Sequence, residues 1–420
     1  MKDMHISPPD KAVLRDLTQR YAAYEASDEN REKIRLGKAL NALRAERPMV
    51  RVEPEGGWDE ILPESALACT SPLTRDWEKK LRQDLFQVHN LKDDKALKPF
   101  FAVPLSFQSG DFGVTIHQND KVSKGGSVSW SHFPISDIAR DLPKLKFRQP
   151  TADVDLGRRE AALAQETFGD ILPVRRWTGG WSFWWTMSPT YQISSLVGIE
   201  EFMYLLVDDP EGVHRLMRWL TDEQIHFMQW FEERGLLDDS NIDPNIGSGG
   251  IGYTDDLPAQ PRPVGKPVRL ADRWGLLEAQ EAVGVSPEMF ADFIFPYQLE
   301  LARYCGLTYY GCCEPVDKRL DSILQIPNLR SISVSPWADE EICAARLGKK
   351  YVYCRKPNPT PVCAGSFDEA TVRESIRHTL RVAAARCNLV IIMKDTCTLQ
   401  NEPWRLERWV QIAREEIAAL

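Results

Sequence analysis

Val285–Cys313, VSPEMFADFIFPYQLELARYCGLTYYGCC, runs straight from a helix into a strand. Ser286 is an N-cap residue and Pro287 takes the first helical position, where a missing N–H costs nothing. Apolar residues then recur at helical spacing up to Gly306. GLTYYGCC is brief, aromatic and bounded by glycine, which reads as a strand. The alternation continues downstream. LRSISVS, KKYVYCRKP and NLVIIMKD are further strands. SFDEATVRESIRHTLRVAAARC, capped by Ser366 with Glu369 completing a capping box, is a helix between two of them. EPWRLERWVQIAREEIAAL is the last helix.

Working outward from that unit, PFFAVPLSF, FGVTIHQ and ILPVRRW are earlier strand candidates, and DDPEGVHRLMRWLTDEQIHFMQWFEERG is a long periodic helix. Alternating strands and helices mark parallel βα units. Several units within about 300 residues favour a closed (β/α)8 TIM barrel, with an open doubly wound sheet as the alternative. No GxGxxG opens a helix, so a dinucleotide fold is disfavoured. Residues 1–98 read as an N-terminal helical extension, and 99–420 as the α/β barrel domain. The Gly-, Pro- and Asp-rich stretch SNIDPNIGSGGIGYTDDLPAQPRPVGKP reads as a long functional loop.

The chain has 420 residues, 43% of them hydrophobic, and a net charge of −9. No basic stripe exists, so nucleic acid is not an expected partner. No apolar run is long enough for a membrane span, and the N-terminus lacks the apolar core of a secretory leader. Nine cysteines in so long a chain read as reduced thiols, pointing to a cytoplasmic protein.

In a parallel barrel the chemistry sits at the C-terminal ends of the strands. Those ends carry Tyr310, Cys312, Cys313 and Glu314; Ser335 and Trp337; Cys354, Arg355 and Lys356; and Lys394, Asp395 and Cys397. Strand alternation puts Tyr310, Cys312 and Glu314 on one face and Cys313 on the other. Cys312, Glu314 and Cys397 are a candidate open zinc site, since thiolates suit zinc and three protein ligands leave a position for substrate. Adjacent cysteines also serve as plain core filler. Asp255 is a candidate for substrate binding, and Asp256 and Glu281 for acid–base work. Trp181, in the aromatic run Trp177–Trp185, and Tyr310 are candidate walls of a substrate pocket. Of the histidines, His117 and His132 alone are placed to reach a site.

The phrases VSPEMFADFIFPYQ, LTYYGCCEPVD, NLRSISVSPWAD, RKPNP and IIMKDTCTLQNEPWRLERWVQIARE resemble the uroporphyrinogen decarboxylase superfamily. YYGCCEP together with MKDTCT resembles its corrinoid-dependent methyltransferase branch. The resemblance covers about residues 170–420 and implies a barrel, a zinc at its mouth, and methyl transfer between a small molecule and a separate corrinoid-binding protein. It also suggests a homodimer. The branch places a His-x-Cys on one strand and a Cys on a later one. Here Cys397 matches the late position, but the histidine is absent and Glu314 is the substitute. The arginine-containing N-terminal motif of true uroporphyrinogen decarboxylases is also absent.

The leading expectation is therefore a zinc-dependent methyltransferase of O-demethylase type, acting on a small, methoxylated aromatic donor. The first rival is a metal-independent lyase in which Asp256 steadies a developing cation and Arg175, Arg176 and Arg355 hold carboxylates. The second is a non-catalytic relative.

Overall fold

The computed structural model describes residues 5–119, 129–178, 188–263 and 265–420. Eight parallel strands carry the architecture: β1 (Met49–Val52), β2 (Phe101–Pro104), β3 (Val174–Trp177), β4 (Trp274–Leu277), β5 (Leu307–Tyr310), β6 (Leu329–Val334), β7 (Val352–Arg355) and β8 (Asn388–Met393). Six of them form one all-parallel sheet in the order β1-β8-β7-β6-β5-β4, and β2 pairs with β3 in a separate parallel ladder. Among the described residues no ladder joins the two sheets, so the strands form an α/β fold with a six-stranded parallel sheet whose closure into a barrel is not seen. Side-chain bonds span part of the gap. The backbone N–H of Thr178, just past β3, donates to Asp238, its hydroxyl donates to the carbonyl of Leu236, and Ser240 accepts from the first amide of β4 at 2.9 Å. Every residue of β1, β4, β5, β7 and β8 is buried. That explains their near-continuous apolar runs, because a parallel sheet is covered on both faces.

The N-terminal region contributes α1 (Pro8–Glu25), α2 (Asp28–Asn41) and α3 (Pro72–Phe86), each opened by a serine N-cap, with β1 lying between α2 and α3. Leu14, Leu17, Trp77 and Leu81 of α1 and α3 pack with Phe101 and Val103 of β2 into a small second core. Three strand assignments differ from the sequence reading, the first being β4, whose WGLL run was not among the strand candidates. β1 lies inside the segment read as a helical extension, and it supplies the edge of the main sheet against β8. FGVTIHQ contributes only the two-residue strand His117–Gln118, paired antiparallel with Trp130–Ser131.

The helix opening at Ser286 is not continuous. It runs over Pro287–Phe293, turns at Ile294 (φ −120°), and resumes as Phe295–Ala302. Pro296 lacks the N–H that would bond back one turn, and its ring crowds that carbonyl.

The largest departure concerns residues 240–254, expected as a surface loop. Ser240, Asp243, Ser248 and Thr254 are all buried, as are Ile246, Ile251 and Tyr253. The segment folds back on itself through reciprocal bonds between Ile246 and Gly250, both 2.8 Å. It fills the inner face of the sheet. Gly249 faces Ile392 of β8 and Glu53 beyond β1, and Gly247 and Gly250 lie flat on the Tyr309 ring of β5. A Cβ at Gly247 or Gly250 would sit 2.5 or 2.6 Å from that ring, so only glycine fits. At its far end the carbonyls of Ile251 and Tyr253 accept from Asn41 at 2.7 and 2.8 Å, and that of Gly252 accepts from the Trp274 indole at 2.9 Å. Glycines and carbonyls thus do inside the sheet what apolar side chains usually do.

Candidate active site

The C-terminal edge of the sheet gathers the chemistry. β5 ends at Tyr310 because Gly311 takes φ +94°, a left-handed conformation that glycine adopts freely. The turn abolishes the strand alternation expected for the following residues. Instead of facing opposite ways, Cys312 and Cys313 bring their sulfurs to 3.6 Å.

Cys312 is buried and sits against the tip of the inner segment, its Sγ 3.3 Å from Ser248 Oγ. Lys356, just past β7, donates to Ser248 Oγ and to the Cys312 carbonyl, the latter at 2.8 Å. Because the ammonium occupies the hydroxyl's lone pair, the hydroxyl proton is free to point at sulfur. The hydrogen bond from Cys313, followed by the charges of Lys356 and Lys394, draws the Cys312 thiol well below the ordinary range, against the opposing cost of burial. The same hydrogen bond, with burial, raises Cys313. Burial lowers Lys356. Lys394, beyond β8, is also penalised by burial, but Cys312, Glu55 and Asp395 outweigh that and raise it. Its Nζ lies 3.3 Å from both Glu55 and Asp395, and Asp395 in turn lies 3.8 Å from Cys313 Sγ.

Three carboxyls stand beside the thiols: Glu278, Glu281 and Glu314. Burial raises all three, and for Glu278 the neighbouring Glu281 and Glu314 raise it further. Their hydrogen-bond partners are neutral. Glu314 accepts from the backbone N–H groups of Ala279 at 2.9 Å and Cys312 at 2.8 Å. Glu281 accepts from the Thr190 hydroxyl at 2.8 Å and Glu278 from the Gln280 amide at 2.7 Å. The second Glu278 oxygen, Oε1, is buried with no hydrogen-bond partner among the described residues.

A cavity of about 790 Å³ opens next to this cluster. Its described lining comprises Trp130, Tyr191, Trp337, Ile199, Val283 and Pro315, with Ser194, Gln280, Glu281 and Cys313 as the polar contributors. Trp130 and Tyr191 meet edge to face, ring centres 5.5 Å apart. Among these lining residues there is no lysine or arginine.

The sequence candidates divide accordingly. Glu281 lines the cavity, and Cys312 and Glu314 lie behind its wall. Tyr310 turns toward the helix layer instead, its hydroxyl donating to Gln298 of Phe295–Ala302 at 2.9 Å. Asp255 and Asp256 lie at the opposite, N-terminal edge. Asp255 pairs with Lys38 in the last turn of α2 at 2.7 Å, and Asp256 with Arg330 at the start of β6 at 2.6 Å. Trp181 falls outside the described residues. His117 and His132 are exposed on the short hairpin, ring against ring. That hairpin carries Trp130, which sequence reasoning passed over; so did it Tyr191. The SHF and SPTYQ phrases around them give no periodic signal tying either residue to a strand end.

The three expected zinc ligands do not come together. Both Glu314 oxygens are engaged by backbone amides, Cys397 is exposed beside Cys363, and among the described residues no three His, Cys, Asp or Glu side chains stand close enough to hold a metal ion. A zinc bound by Cys312, Glu314 and Cys397 would need Glu314 to release both amides. The residues as arranged do not fit it.

The fold and site together define a parallel α/β chain with a thiol–carboxyl cluster at the C-terminal edge of its sheet, beside an aromatic cavity. The chain is similar in fold to a solved methyltransferase from Methanosarcina mazei. The TM-score is 0.51 at 12% identity, covering 91% of this chain and 97% of that one. No family model and no curated protein matches the sequence. Among the described residues no helix is long and apolar enough to cross a membrane.

Proposed function

We propose that this chain moves a methyl group from a small methoxylated aromatic compound to a corrinoid carried by a separate protein. In this reading its eight strands close into the (β/α)8 barrel of the corrinoid-dependent branch of the uroporphyrinogen decarboxylase superfamily. The cavity lining carries the reading. Two tryptophans and a tyrosine surround a space whose one acidic lining residue is Glu281, with no basic side chain among the described lining. Such a pocket suits a flat, neutral ring. The fold likeness to a methyltransferase supports the reaction class.

The ring lies among Trp130, Tyr191 and Trp337 with its ether oxygen toward Glu281. Breaking the methyl–oxygen bond leaves negative charge on that oxygen. Glu281, whose carboxyl burial shifts toward the protonated form, delivers the proton there and releases a neutral phenol. Thr190 holds the carboxyl in place. When bound, the corrinoid supplies the nucleophilic cobalt that accepts methyl. The exposed rim residues Ile199, Val283 and Trp337 give its carrier an apolar surface to approach. No step runs through zinc.

The lyase alternative needs cations to hold carboxylates, and two of its three candidate arginines are engaged elsewhere. Arg355 is buried against Glu340 at 2.6 Å, Arg175 lies over the Phe100 ring, and Asp256 is at the other edge.

Mixing the protein with a reduced corrinoid protein and a panel of methoxylated aromatics, and following the methyl–cobalt absorbance, tests the proposal. Substrate-dependent methyl–cobalt formation is expected. A flat trace across the panel, with aromatics nonetheless bound in the cavity by calorimetry, would refute methyl transfer. Elemental analysis of the same sample reads out zinc independently.

A further inference from the structure

Two adjacent thiols stand in contact, one of them on the wall of an open cavity. We infer that Cys312 and Cys313 form a reversible redox pair that closes to a disulfide between neighbouring residues by exchange with a small-molecule disulfide. The inference does not depend on what reaction the cavity serves.

The geometry behind it is unusual for consecutive residues. On an extended strand their side chains point to opposite faces. Here the turn at Gly311 removes that constraint and leaves the sulfurs 3.6 Å apart, at contact distance. Cys313 lines the cavity, so a reagent in solution reaches it, whereas Cys312 is buried directly behind it. Ammonium groups from Lys356 and Lys394 and the Ser248 hydroxyl face the pair from the ends of β7 and β8 and the inner segment, with Asp395 and Glu314 as the nearby carboxyls. Cys69, Cys305, Cys343, Cys354 and Cys387 are buried; of the remaining two, Cys363 is half-buried and Cys397 exposed.

The exchange balances in two displacements. Cys313 loses its proton and its sulfur attacks one sulfur of a disulfide RSSR, forming a mixed disulfide and expelling RS⁻. Cys312, also deprotonated, then attacks the Cys313 sulfur and expels the second RS⁻. The two protons end on the two RS⁻ groups. The cysteines are oxidised by two electrons, and RSSR is reduced to two thiols. Consecutive Cα atoms lie about 3.8 Å apart across a trans peptide, shorter than the usual disulfide range of about 4.4–6.8 Å, so the bond is strained and easily reduced. That favours a switch over a permanent staple.

The test uses the full-length protein with oxidised glutathione, then alkylation, digestion and mass spectrometry. The tryptic peptide Tyr304–Lys318 is expected to lose two hydrogen atoms, carry no glutathione and resist alkylation at Cys312 and Cys313. Exposed Cys397 serves as the internal control and retains a glutathione adduct. Millimolar dithiothreitol restores both thiols. Cys312→Ser removes the second displacement, so its Cys313 is expected to keep a stable adduct. A lasting glutathione adduct on wild-type Cys313 would overturn the inference. So would two alkylatable thiols under conditions that fully modify Cys397. The wild-type reading stands even if the variant fails to fold.

Discussion

The two edges of the main sheet treat carboxylates in opposite ways. At the N-terminal edge each acid has a cation: Asp255 has Lys38, Asp256 has Arg330, and buried Asp94 has both Arg47 and Arg414 at 2.7 Å. At the C-terminal edge Lys394 pairs with Glu55 and Asp395, but Glu278, Glu281 and Glu314 are buried among amides, a hydroxyl and one another. The same residue type is thus ionised and structural at one end, and driven toward its protonated form at the other. The lesson is that acid chemistry is located by asking which carboxyls lack a cation, not which are adjacent in sequence. The Asp255–Asp256 pair is conspicuous in the sequence, yet both side chains are engaged by cations at the edge away from the cavity.

The strongest way to break this contrast is Glu281→Gln. Under the proposed mechanism it removes the proton donor while keeping the shape, so methyl transfer is expected to fall ~10²–10⁴-fold with binding of the aromatic donor retained. The pH profile gives the sign. Because Glu281 must be protonated and burial raises its pKa, the wild-type rate is expected to fall as pH rises through that raised value. The Gln variant loses this limb. A variant with wild-type turnover would remove Glu281 from the chemistry.

Gly250→Ala tests the segment that joins the two edges. Its Cβ would press on Tyr309 at 2.6 Å, and the expected cost is on the order of 1–3 kcal/mol, read as a lower midpoint in urea. An unchanged midpoint would show that the inner segment yields easily.

Stability against pH should carry both signatures. Burial opposes ionisation of Asp94, but its two arginines outweigh that and hold it at about 2 against an ordinary 3.8. Its contribution, about 2 kcal/mol, is therefore present above pH 4 and lost as pH falls toward 2. Asp94→Asn should remove that acid limb. The Glu278–Glu281–Glu314 cluster works in the other direction. Its folded-state pKa values are raised, so its contribution is present in acid and declines as pH rises through them.

The smallest effect belongs to Asp256→Asn. A half-exposed ion pair is worth under about 1 kcal/mol, and catalysis should not change. A large drop in turnover would return Asp256 to the active site.

Much of the sheet was legible in the residues. β5 through β8 announce themselves as short apolar runs after capped helices, and their C-terminal ends lead directly to Cys312, Cys313, Lys356 and Lys394. β1 and β4 did not, because MVRV and WGLL are four-residue runs adjoining helical or irregular patterns, and only pairing with β8 and β5 makes them strands. The turn at Gly311 was missed for a related reason: alternation describes a strand and says nothing about where the strand stops. The interior position of residues 240–254 was invisible because glycine and asparagine ordinarily signal solvent. Nothing local reveals that Tyr309 would press on two of those glycines. Trp130 and Tyr191 reach the cavity only through tertiary packing.

That buried segment has a consequence for how the molecule is made. Its contacts run to Asn41, Tyr309 and Ile392, residues that are far apart along the chain. Its few apolar residues, Ile246, Ile251 and Tyr253, are buried only once those distant partners are in place. Contacts of such long sequence separation are expected to make folding slow.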